Sequence, residues 1–362
     1  MAARDFRLFV PGPVEIDEAV RLAGSARLPY MRTEEFSRLT FGVVDGLRRV
    51  VKTSGDVTLL TASGTAAMEA AVTSLLDGRD RVLVVNGGTF GRRFADICTI
   101  HAIPHEEVRL EPGQSLDVAA LADRVRTGRF TAVLVNAHET STGVLYDVGA
   151  IGQALRGTGV LLVVDAVSTL CADPYSMDEW GVDATVFSTQ KGLALPPGMA
   201  FVALGPRARE RAVAAPRRSL YLHLADYLKD GTRGQTPYTV AVGLVLQLAA
   251  RLAGMDVDAE VAATAARARR FREGMAGLPV ASLPQSPSNA ITALRLLDAG
   301  IEAPDLVRRV SDEFGYYIAP NAEPLRRSVF RVSHLGSQTI EDVDSVVAAL
   351  RSVLAGARTG GA

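Results

Sequence analysis

Cysteine is scarce in this sequence. Cys98 and Cys171 are the only two in 362 residues, and each stands in an apolar or small-residue setting. Two isolated cysteines indicate neither a disulfide framework nor a cluster of metal ligands. The sequence therefore predicts that the protein holds no metal, and a reducing cytoplasmic location is the default expectation.

An excess of charge of one sign is also missing. The chain carries 39 basic and 40 acidic residues, for a net charge of −1, and the two signs are interspersed. This balance gives no electrostatic reason to expect a nucleic-acid or anionic-membrane partner. No uncharged apolar run reaches 18 residues, and the N-terminus has no long apolar core, so neither a membrane span nor a secretory signal is predicted. The composition, 48% hydrophobic and 22% charged, is typical of a globular protein.

Lysine is rare because most of the basic charge is arginine. Lys52, Lys191 and Lys229 are the only three. Lys191 follows a short β-branched run that resembles a buried strand, and it is flanked by Ser, Thr and Gln. A desolvated lysine can lose its proton and react with an aldehyde, which arginine cannot do. Two interpretations stay open at this point: Lys191 holds the aldehyde of pyridoxal phosphate, or it merely caps a strand.

Apolar strands alternate with helical segments through the first two thirds of the chain. This alternation predicts an α/β fold with a mostly parallel sheet covered on both faces. Ligands of such sheets gather at the carboxyl ends of the strands. Polar or aromatic side chains follow the predicted strands at several such ends, namely Ser63, Phe90, His138, Thr140, Asp165 and Lys191. Their convergence at one edge is the strongest argument that the residues themselves make for a site.

Two loops at this edge suit a flat, anionic cofactor. Ser63, Gly64 and Thr65 join a strand to a helix N-terminus, where free backbone N–H groups attract anions. An ordinary capped turn is the alternative. Phe90 lies in a glycine-rich strand end, a good place for a ring that stacks against a flat cofactor. A core position is the alternative.

Two charged residues lie in apolar surroundings. Asp165 ends a five-residue apolar strand, where a carboxylate is costly without a cationic partner such as a pyridine nitrogen. The alternative is a cap on the following helix. Arg331 lies between Phe330 and Val332 in a predicted strand and suits a bidentate carboxylate ligand, with an internal salt bridge as its alternative.

The predicted organisation has three parts: an N-terminal arm over residues 1–20, a large domain over 21–255 and a smaller C-terminal α+β domain over 256–362. The large domain includes a helix that Thr33 caps and a long apolar helix over 240–252. The segment between Tyr221 and Tyr238 is predicted to be a loop. The smaller domain is predicted from helices near 257–278, 303–314 and 340–354, with antiparallel strands between them.

The sequence resembles the class V aminotransferases of fold type I, the group of alanine–glyoxylate, serine–glyoxylate and 2-aminoethylphosphonate–pyruvate aminotransferases. The resemblance runs through nearly the whole chain and is specific because its motifs occur together, in order and at family spacing. The matching motifs are Pro11-Gly-Pro13, Ser63-Gly-Thr65, Gly88-Thr-Phe-Gly-Arg-Arg93, His138-Glu-Thr-Ser-Thr-Gly143, Val164-Asp-Ala-Val-Ser168, Ser188-Thr-Gln-Lys-Gly192, Pro196-Pro-Gly198 and Phe330-Arg-Val-Ser-His-Leu-Gly336.

The resemblance implies a pyridoxal phosphate cofactor and a role for each matching residue. Lys191 would form the Schiff base, Asp165 would pair with the pyridine nitrogen, and Phe90 would stack on the ring. Ser63, Gly64, Thr65 and Gln190 would contact the phosphate or its surroundings, and Thr140 would contact the ring hydroxyl. Arg331 would bind the substrate carboxylate, and Pro11, Gly12 and Arg32 would border the substrate. The implied partners are a small amino donor and a 2-oxo acid acceptor, pyruvate or glyoxylate.

Relatives of this kind are homodimers with active sites at the subunit interface. In them a segment of one chain reaches the phosphate of the other, and Gln235-Thr-Pro-Tyr-Thr239 matches it loosely, so Thr236 is the expected contact. Many relatives read His-Arg-Ser where this chain has Met31-Arg32-Thr33, and that segment borders the substrate. The amino donor is therefore left open.

Three other functions remain as alternatives. One is a lyase of the same fold similar to a cysteine desulfurase, which requires a reactive cysteine on a mobile loop. Cys98 lies in a predicted helix and Cys171 follows the Asp165 strand, so neither suits that role. A second is a 2-aminoethylphosphonate-type transaminase. The third is a pyridoxal phosphate-binding assembly protein without turnover, against which the intact set of Lys191, Asp165 and Arg331 argues.

Overall fold

A computed structural model describes residues 6–359. Residues 1–5 of the predicted arm and residues 360–362 of the predicted C-terminal domain lie outside the described residues. Within 6–359, no helix is both long and apolar enough to cross a membrane. The strands are β1 (Arg7–Phe9), β2 (Asp56–Leu60), β3 (Val82–Asn86), β4 (His105–Arg109), β5 (Ala132–Asn136), β6 (His138–Glu139), β7 (Val144–Leu145), β8 (Leu161–Asp165), β9 (Ala184–Ser188), β10 (Ala200–Leu204), β11 (Val280–Ser282), β12 (Ile291–Leu296), β13 (Tyr316–Pro320) and β14 (Val329–Ser333).

Helices connect most of these strands. They are α1 (Glu18–Ala23), α2 (Glu34–Val51), α3 (Gly64–Leu75), α4 (Thr89–Ile100), α5 (Val118–Gly128), α6 (Val148–Leu155), α7 (Met177–Trp180), α8 (Pro206–Ala214), α9 (Leu224–Gly231), α10 (Val242–Ala253), α11 (Val257–Gly274), α12 (Ala303–Phe314) and α13 (Ile340–Thr359).

The larger sheet has seven strands in the order β2-β10-β9-β8-β5-β3-β4. Only β10 runs against its neighbours, and the pairs β9–β8, β8–β5, β5–β3 and β3–β4 are parallel. The prediction of a mostly parallel seven-stranded sheet is therefore confirmed.

Both faces of this sheet are buried because its strands are apolar throughout. In β5, Val133 and Val135 pack into the core under one set of helices, while Ala132 and Leu134 pack into the core on the other face. Successive side chains of a strand point to opposite faces, so a continuous apolar run suits a sheet covered on two sides. Each such buried valine or leucine contributes about 1.5–3 kcal/mol.

The long helix α2 shows how local sequence fixes an element beside this sheet. The Thr33 side chain accepts a hydrogen bond from the Phe36 amide and caps the helix, as the sequence predicts. Phe36, Val43 and Leu47 then recur at helical spacing and are buried in the core. The capped end and the apolar stripe place the neighbouring Met31–Thr33 segment against the large sheet's core.

The C-terminal part is built around a second sheet of five strands in the order β1-β13-β14-β12-β11. Four of its strands pair antiparallel, which confirms the predicted α+β character. Phe271, Phe330 and Leu350 join α11, β14 and α13 in one core. Strand β1 pairs parallel with β13, so residues 7–9 of the arm belong to this sheet. The domain boundaries at 20 and 255 remain a prediction.

The predicted loop between Tyr221 and Tyr238 is wrong for part of its length, because α9 occupies residues 224–231. Helix α9 begins after His223 without a side-chain cap, so the sequence carries no start signal there. Leu224 and Tyr227, one helical turn apart, are buried against α3 and β2. Tertiary packing forms this helix where local preference is weak.

Candidate active site

The carboxyl ends of several strands meet at one edge of the large sheet. Asp165 at the end of β8 lies opposite Asn136 of β5 and Val186 of β9. Strands β2 and β9 both pair antiparallel with β10, so they run in the same direction as each other. The loops that follow β2, β5, β8 and β9 therefore surround a common space, as the sequence predicts.

Lys191 lies three residues beyond β9 and is 9% exposed. Burial lowers the pKa of its ammonium group to about 8, with Arg331 and Arg93 acting in the same direction and Asp165 opposing them. Its Nζ atom donates no hydrogen bond to another described residue, so the strand-capping interpretation has no contact to support it. The side chain is nearly desolvated and is close to neutral at a slightly alkaline pH.

The N-terminal arm packs directly against Lys191. Gly12 has a φ of +145°, and a Cβ atom added to it would lie 3.1 Å from Lys191 Cδ and 2.9 Å from the Gln190 carbonyl oxygen. Only glycine combines this backbone conformation with so close an approach. Gly12, Gln190 and Lys191 are therefore together, and Pro11 precedes them on the same half-buried arm.

Asp165 is buried opposite the end of β9. Burial raises the pKa of its carboxyl group to about 6, while the bond from the Val167 amide at 2.9 Å and the nearby Arg93 and Lys191 lower it. The residues after Asp165 form turns and no helix, so the helix-capping interpretation does not fit. A buried carboxylate that has cations nearby, but no ion pair within residues 6–359, suits a cationic ligand atom.

The Ser63–Thr65 loop has the features of an anion site. Ser63 precedes α3 but its side chain makes no capping hydrogen bond. Among the described residues, the Gly64 and Thr65 amides also have no hydrogen-bond partner. Ser188 Oγ is buried without a partner and lies 3.5 Å from the position of a Cβ atom on Gly64. These unpaired donors suit a phosphate group at the helix N-terminus.

Phe90 lies in the first turn of α4, next to the Ser63–Thr65 loop's partner Arg93. Its ring is half-buried and belongs to none of the hydrophobic cores, so the core interpretation does not fit. The Arg93 guanidinium lies 4.7 Å above the ring centroid, and its Nη1 atom donates to Thr65 Oγ1 at 2.9 Å. Arg93 thus links the aromatic ring to the anion loop.

Glu139 holds the backbone of this turn in place. Its fully buried carboxylate accepts hydrogen bonds from the Phe90 amide at 3.1 Å and the Gly91 amide at 3.0 Å. It also accepts bonds from Asn136 Nδ2 and from Ser141. A carboxylate at the positive end of α4 therefore fixes where Phe90 stands.

Thr140 connects the cofactor side of the site to Arg331. Arg331 Nη1 donates to the Thr140 carbonyl oxygen at 3.0 Å and Nη2 donates to the Pro320 carbonyl oxygen at 2.6 Å, while Nε is buried without a partner. No carboxylate among the described residues pairs with Arg331, so an internal salt bridge is absent from that part of the chain. The unpaired edge of the guanidinium suits a bound carboxylate.

Arg32 and Thr236 lie together and are joined by a hydrogen bond. Arg32 Nη1 donates to the Gln235 side chain at 3.1 Å and to the Thr236 carbonyl oxygen at 2.8 Å. Within residues 6–359, neither makes a hydrogen bond to Lys191 or Asp165. Their expected roles in substrate and phosphate binding remain predictions.

Five polar residues of the site receive no role from the sequence. His138 is identified only as the end of a strand, and the other four only as parts of motifs: Arg93, Glu139, Ser168 and Ser188. Ser168 follows Asp165 by three residues and Ser188 precedes Lys191 by three, so both stand beside a predicted functional residue. That proximity was the available signal, but hydroxyl groups near strand ends are too common for it to decide a role.

The two cysteines are unsuited to the chemistry of a desulfurase. Cys98 and Cys171 are buried free thiols. Burial raises the pKa of each to about 12. The thiolate is the reactive form of cysteine, so these thiols are unreactive near neutral pH.

Proteins of known family and structure match almost the whole chain. The family model described as Aminotransferase class-V matches residues 26–288. The soluble hydrogenase small subunit of Synechococcus sp. (strain PCC 6716) is 34% identical over 96% of this chain and 92% of its own length. L-aspartate–glyoxylate aminotransferase of Paracoccus denitrificans is 30% identical over 96% of this chain and 91% of its own. The structure of a subgroup IV aspartate aminotransferase from Thermus thermophilus superposes with a TM-score of 0.90 at 31% identity, covering 97% of this chain and 99% of that one.

Proposed function

This chain belongs to the class-V aminotransferase family, and we propose that it uses pyridoxal phosphate to transfer an amino group from a small amino acid to a 2-oxo acid. The observation that carries the proposal is that a desolvated Lys191 and a buried Asp165 lie near each other at one sheet edge. Glyoxylate is the first acceptor to test, because the Paracoccus relative is named for it. Pyruvate is the second.

The unpaired groups of the site fit this cofactor. The Gly64 and Thr65 amides and Ser188 Oγ suit its phosphate, and Asp165 suits its pyridine nitrogen. Phe90 offers one aromatic face for stacking. Lys191 lies between Gly12 and the end of β9 and supplies the amine for the aldehyde. When bound, pyridoxal phosphate supplies an aldehyde for amines and a ring that accepts the electron pair of a substrate carbanion.

Three protein residues carry out the other functions of the site: substrate binding, proton transfer and stabilisation of the ring charge. Arg331 binds the substrate carboxylate and orients the Cα–H bond toward Lys191. When it is free and unprotonated, a form that desolvation favours, Lys191 Nζ takes the Cα proton and later returns a proton. Asp165 stays ionised beside a cationic ring nitrogen, since that charge offsets the burial that raises its pKa. Transfer by a positioned base of this kind contributes roughly 10²–10⁴-fold to the rate.

We also propose a cytoplasmic homodimer. Large apolar side chains are exposed on the same part of the surface as Arg32, including Leu28 at 59% and Tyr30 at 71%. Arg32 is tied to the Thr236 segment, which is the one expected to reach a second copy's phosphate. Covering these apolar side chains with a second copy would remove them from water. The free buried thiols Cys98 and Cys171 suit a reducing compartment.

The test is a comparison of Lys191→Ala with Lys52→Ala. Lys52 is a control lysine whose ammonium pairs with Asp258 on the surface. We expect Lys191→Ala to lose both the visible absorbance of the loaded cofactor and turnover with glyoxylate across a panel of amino donors. Lys52→Ala should retain both. Full visible absorbance and turnover in Lys191→Ala would refute the assignment.

A further inference from the structure

A chain of three buried side chains runs from His138 to Thr140. His138 Nδ1 lies 3.0 Å from Ser168 Oγ, and Ser168 Oγ lies 2.9 Å from Thr140 Oγ1. All three residues are buried. Ser168 Oγ has one other acceptor within reach, the His138 carbonyl oxygen, but that atom is 3.5 Å away. The two hydroxyl groups are therefore coupled to each other and to the imidazole.

The imidazole is neutral and its two nitrogens are in different environments. Burial and the positive charges of Lys191, Arg331 and Arg272 lower the pKa of His138 to about 3, against the opposing effect of a hydrogen bond with the Ser168 backbone. A neutral imidazole carries its proton on only one nitrogen. Nε2 is buried and has no hydrogen-bond partner among the described residues, whereas Nδ1 faces the Ser168 hydroxyl.

These surroundings favour the proton on Nδ1. An unpaired N–H group buried among cations is penalised twice, because it lacks an acceptor and its dipole opposes their field. A lone pair on Nε2 has a lower electrostatic energy in the same positive potential than an N–H group would have. Nδ1–H then donates to Ser168 Oγ, and the Ser168 hydroxyl in turn donates to Thr140 Oγ1.

The direction of these bonds determines what Thr140 presents to a ligand. If Thr140 Oγ1 accepts from Ser168, its own proton has no acceptor among the described residues. Thr140 also accepts the Arg331 bond on its carbonyl oxygen, so its backbone is held from the substrate side. A hydroxyl proton without a partner, on a residue held at both ends, suits an oxygen acceptor on the ligand.

We propose that His138 is a positioning residue which, through Ser168, makes the Thr140 hydroxyl donate its proton to the ring oxygen of the cofactor. This inference rests on the proposed function, because the acceptor is an atom of pyridoxal phosphate. Among the described residues, the His138 ring hydrogen-bonds to Ser168 and not to Lys191 or Arg331, so its role is to position another group. Its effect is to set the direction of a hydrogen bond that two hydroxyl groups would otherwise leave free to reverse.

The consequence for the loaded protein is a defined shift in a titration. A bond donated to the ring oxygen stabilises negative charge there. When the cofactor-linked Lys191 nitrogen is protonated, it shares its proton with the ring oxygen and reduces the negative charge there. When that nitrogen has lost its proton, the ring oxygen carries more negative charge, so a hydrogen bond donated to the oxygen favours the deprotonated form. Losing the bond should raise the pH midpoint of the visible band by about 0.5–1 unit, the amount one net hydrogen bond supplies. Asp165, Arg331 and Arg93 also act on this nitrogen and are left in place.

Four variants separate this role from a structural one. Ser168→Ala and His138→Phe remove the relay, and each should raise the midpoint. The double variant should shift it no further than either single one, because both break the same chain. His138→Asn keeps an N–H group near the position of Nδ1 and should hold the midpoint near that of the unchanged protein. Thermal melts of each variant identify any that fail to fold, and Ser168→Ala is the smallest change.

The matched control is His334→Phe. His334 is likewise fully buried, with Nε2 2.8 Å from the Thr292 hydroxyl and Nδ1 without a partner among the described residues. It follows β14 and is not part of the Thr140 chain. Its loss should leave the midpoint unchanged even if it lowers stability.

A second measurement needs no cofactor. Nitrogen NMR of the ¹⁵N-histidine protein distinguishes the two tautomers, and the chain has only five histidines to assign. We expect His138 to carry its proton on Nδ1. A proton on Nε2 would overturn the inference, as would an unchanged or lowered midpoint in folded Ser168→Ala and His138→Phe. A protein that develops no visible band with pyridoxal phosphate would instead overturn the proposed function, and with it the cofactor's part in this relay.

Discussion

Lys191, Arg93 and Arg331 are cations that lack a carboxylate within salt-bridge distance among residues 6–359. Elsewhere in that range, arginines commonly pair with acids at the surface. Uncompensated positive charge at one sheet edge is costly unless anionic groups bind there. A cofactor phosphate and a substrate carboxylate would supply two such groups.

The first prediction at this scale concerns Arg93. Arg93→Met removes the bond to Thr65 Oγ1 and the cation above the Phe90 ring. We expect the dissociation constant of pyridoxal phosphate to rise about tenfold, because these contacts together are worth about 1–2 kcal/mol. The measurement is a titration of cofactor-free protein followed by visible absorbance. Arg92→Met, one residue earlier and exposed, should bind the cofactor normally, and equal effects from the two variants would contradict the prediction.

A second prediction concerns Arg331. Arg331→Met should lower kcat/KM for a carboxylate-bearing donor about 100-fold, since a bidentate charged hydrogen bond is worth about 3 kcal/mol. A donor amine without a carboxylate should react equally well with both proteins. Arg295→Met on the neighbouring strand β12 is the control, because Arg295 is exposed. An equal loss for both classes of donor would show that Arg331 acts on the fold and not on the substrate.

At the scale of elements, the site depends on how strand ends meet helix beginnings. Glu139 lies at the end of β6, yet it accepts hydrogen bonds from two amides in the first turn of α4. Strand β6 is thereby joined to the turn of α4 that carries Phe90, and Asn136 of β5 donates to the same carboxylate. This contact joins segments that are 48 and 49 residues apart in the chain.

Glu139→Gln should therefore destabilise the protein strongly. Glutamine replaces one carboxylate oxygen with a donor, so some of the buried amides lose their acceptor. We expect the free energy of unfolding to fall by about 2–4 kcal/mol, measured by chemical denaturation. The control is Glu34→Gln in the exposed first turn of α2, where the loss should stay within about 0.5 kcal/mol. Comparable losses in the two variants would contradict a special role for Glu139.

At the scale of the whole molecule, the proposed function includes a site shared between two copies of the chain. Arg32 and Thr236 hold each other but not the Lys191 cluster. A homodimer would bring the Thr236 segment of one copy to the phosphate of the other. The proposed homodimer would also cover the exposed apolar side chains near Arg32.

Mixing two inactive variants tests this arrangement. Thr236→Asp should repel the phosphate, and Lys191→Ala removes the amine, so each homodimer should be inactive. In a mixed dimer one site receives an intact Lys191 and an intact Thr236. Random association should restore about a quarter of normal activity, because half of the dimers are mixed and each has one intact site of two. Co-expressed variants that stay inactive, although mass measurement shows mixed dimers, would rule out sites shared between copies.

The parts predictable from sequence were those governed by local pattern. The apolar run of β5 and the Thr33 cap with its apolar stripe each identified an element without knowledge of its neighbours. Helix α9 is not predictable from local pattern because it is stabilised by the packing of Leu224 and Tyr227 against α3 and β2. The placement of Asp165 and Lys191 at one edge was predictable because parallel strands share their carboxyl ends.

The sequence by itself determined the fold class and the aminotransferase family, because strand periodicity and the order of motifs can be read along the chain without knowing which residues meet in space. Only the tertiary structure decided which polar groups are paired. Ser168 and His138 are buried and contact each other from positions 30 residues apart in the chain, whereas the buried Ser188 hydroxyl has no partner among the described residues. Hydrogen bonds form over about 3 Å, and the register that brings atoms so close is set by packing of the whole sheet.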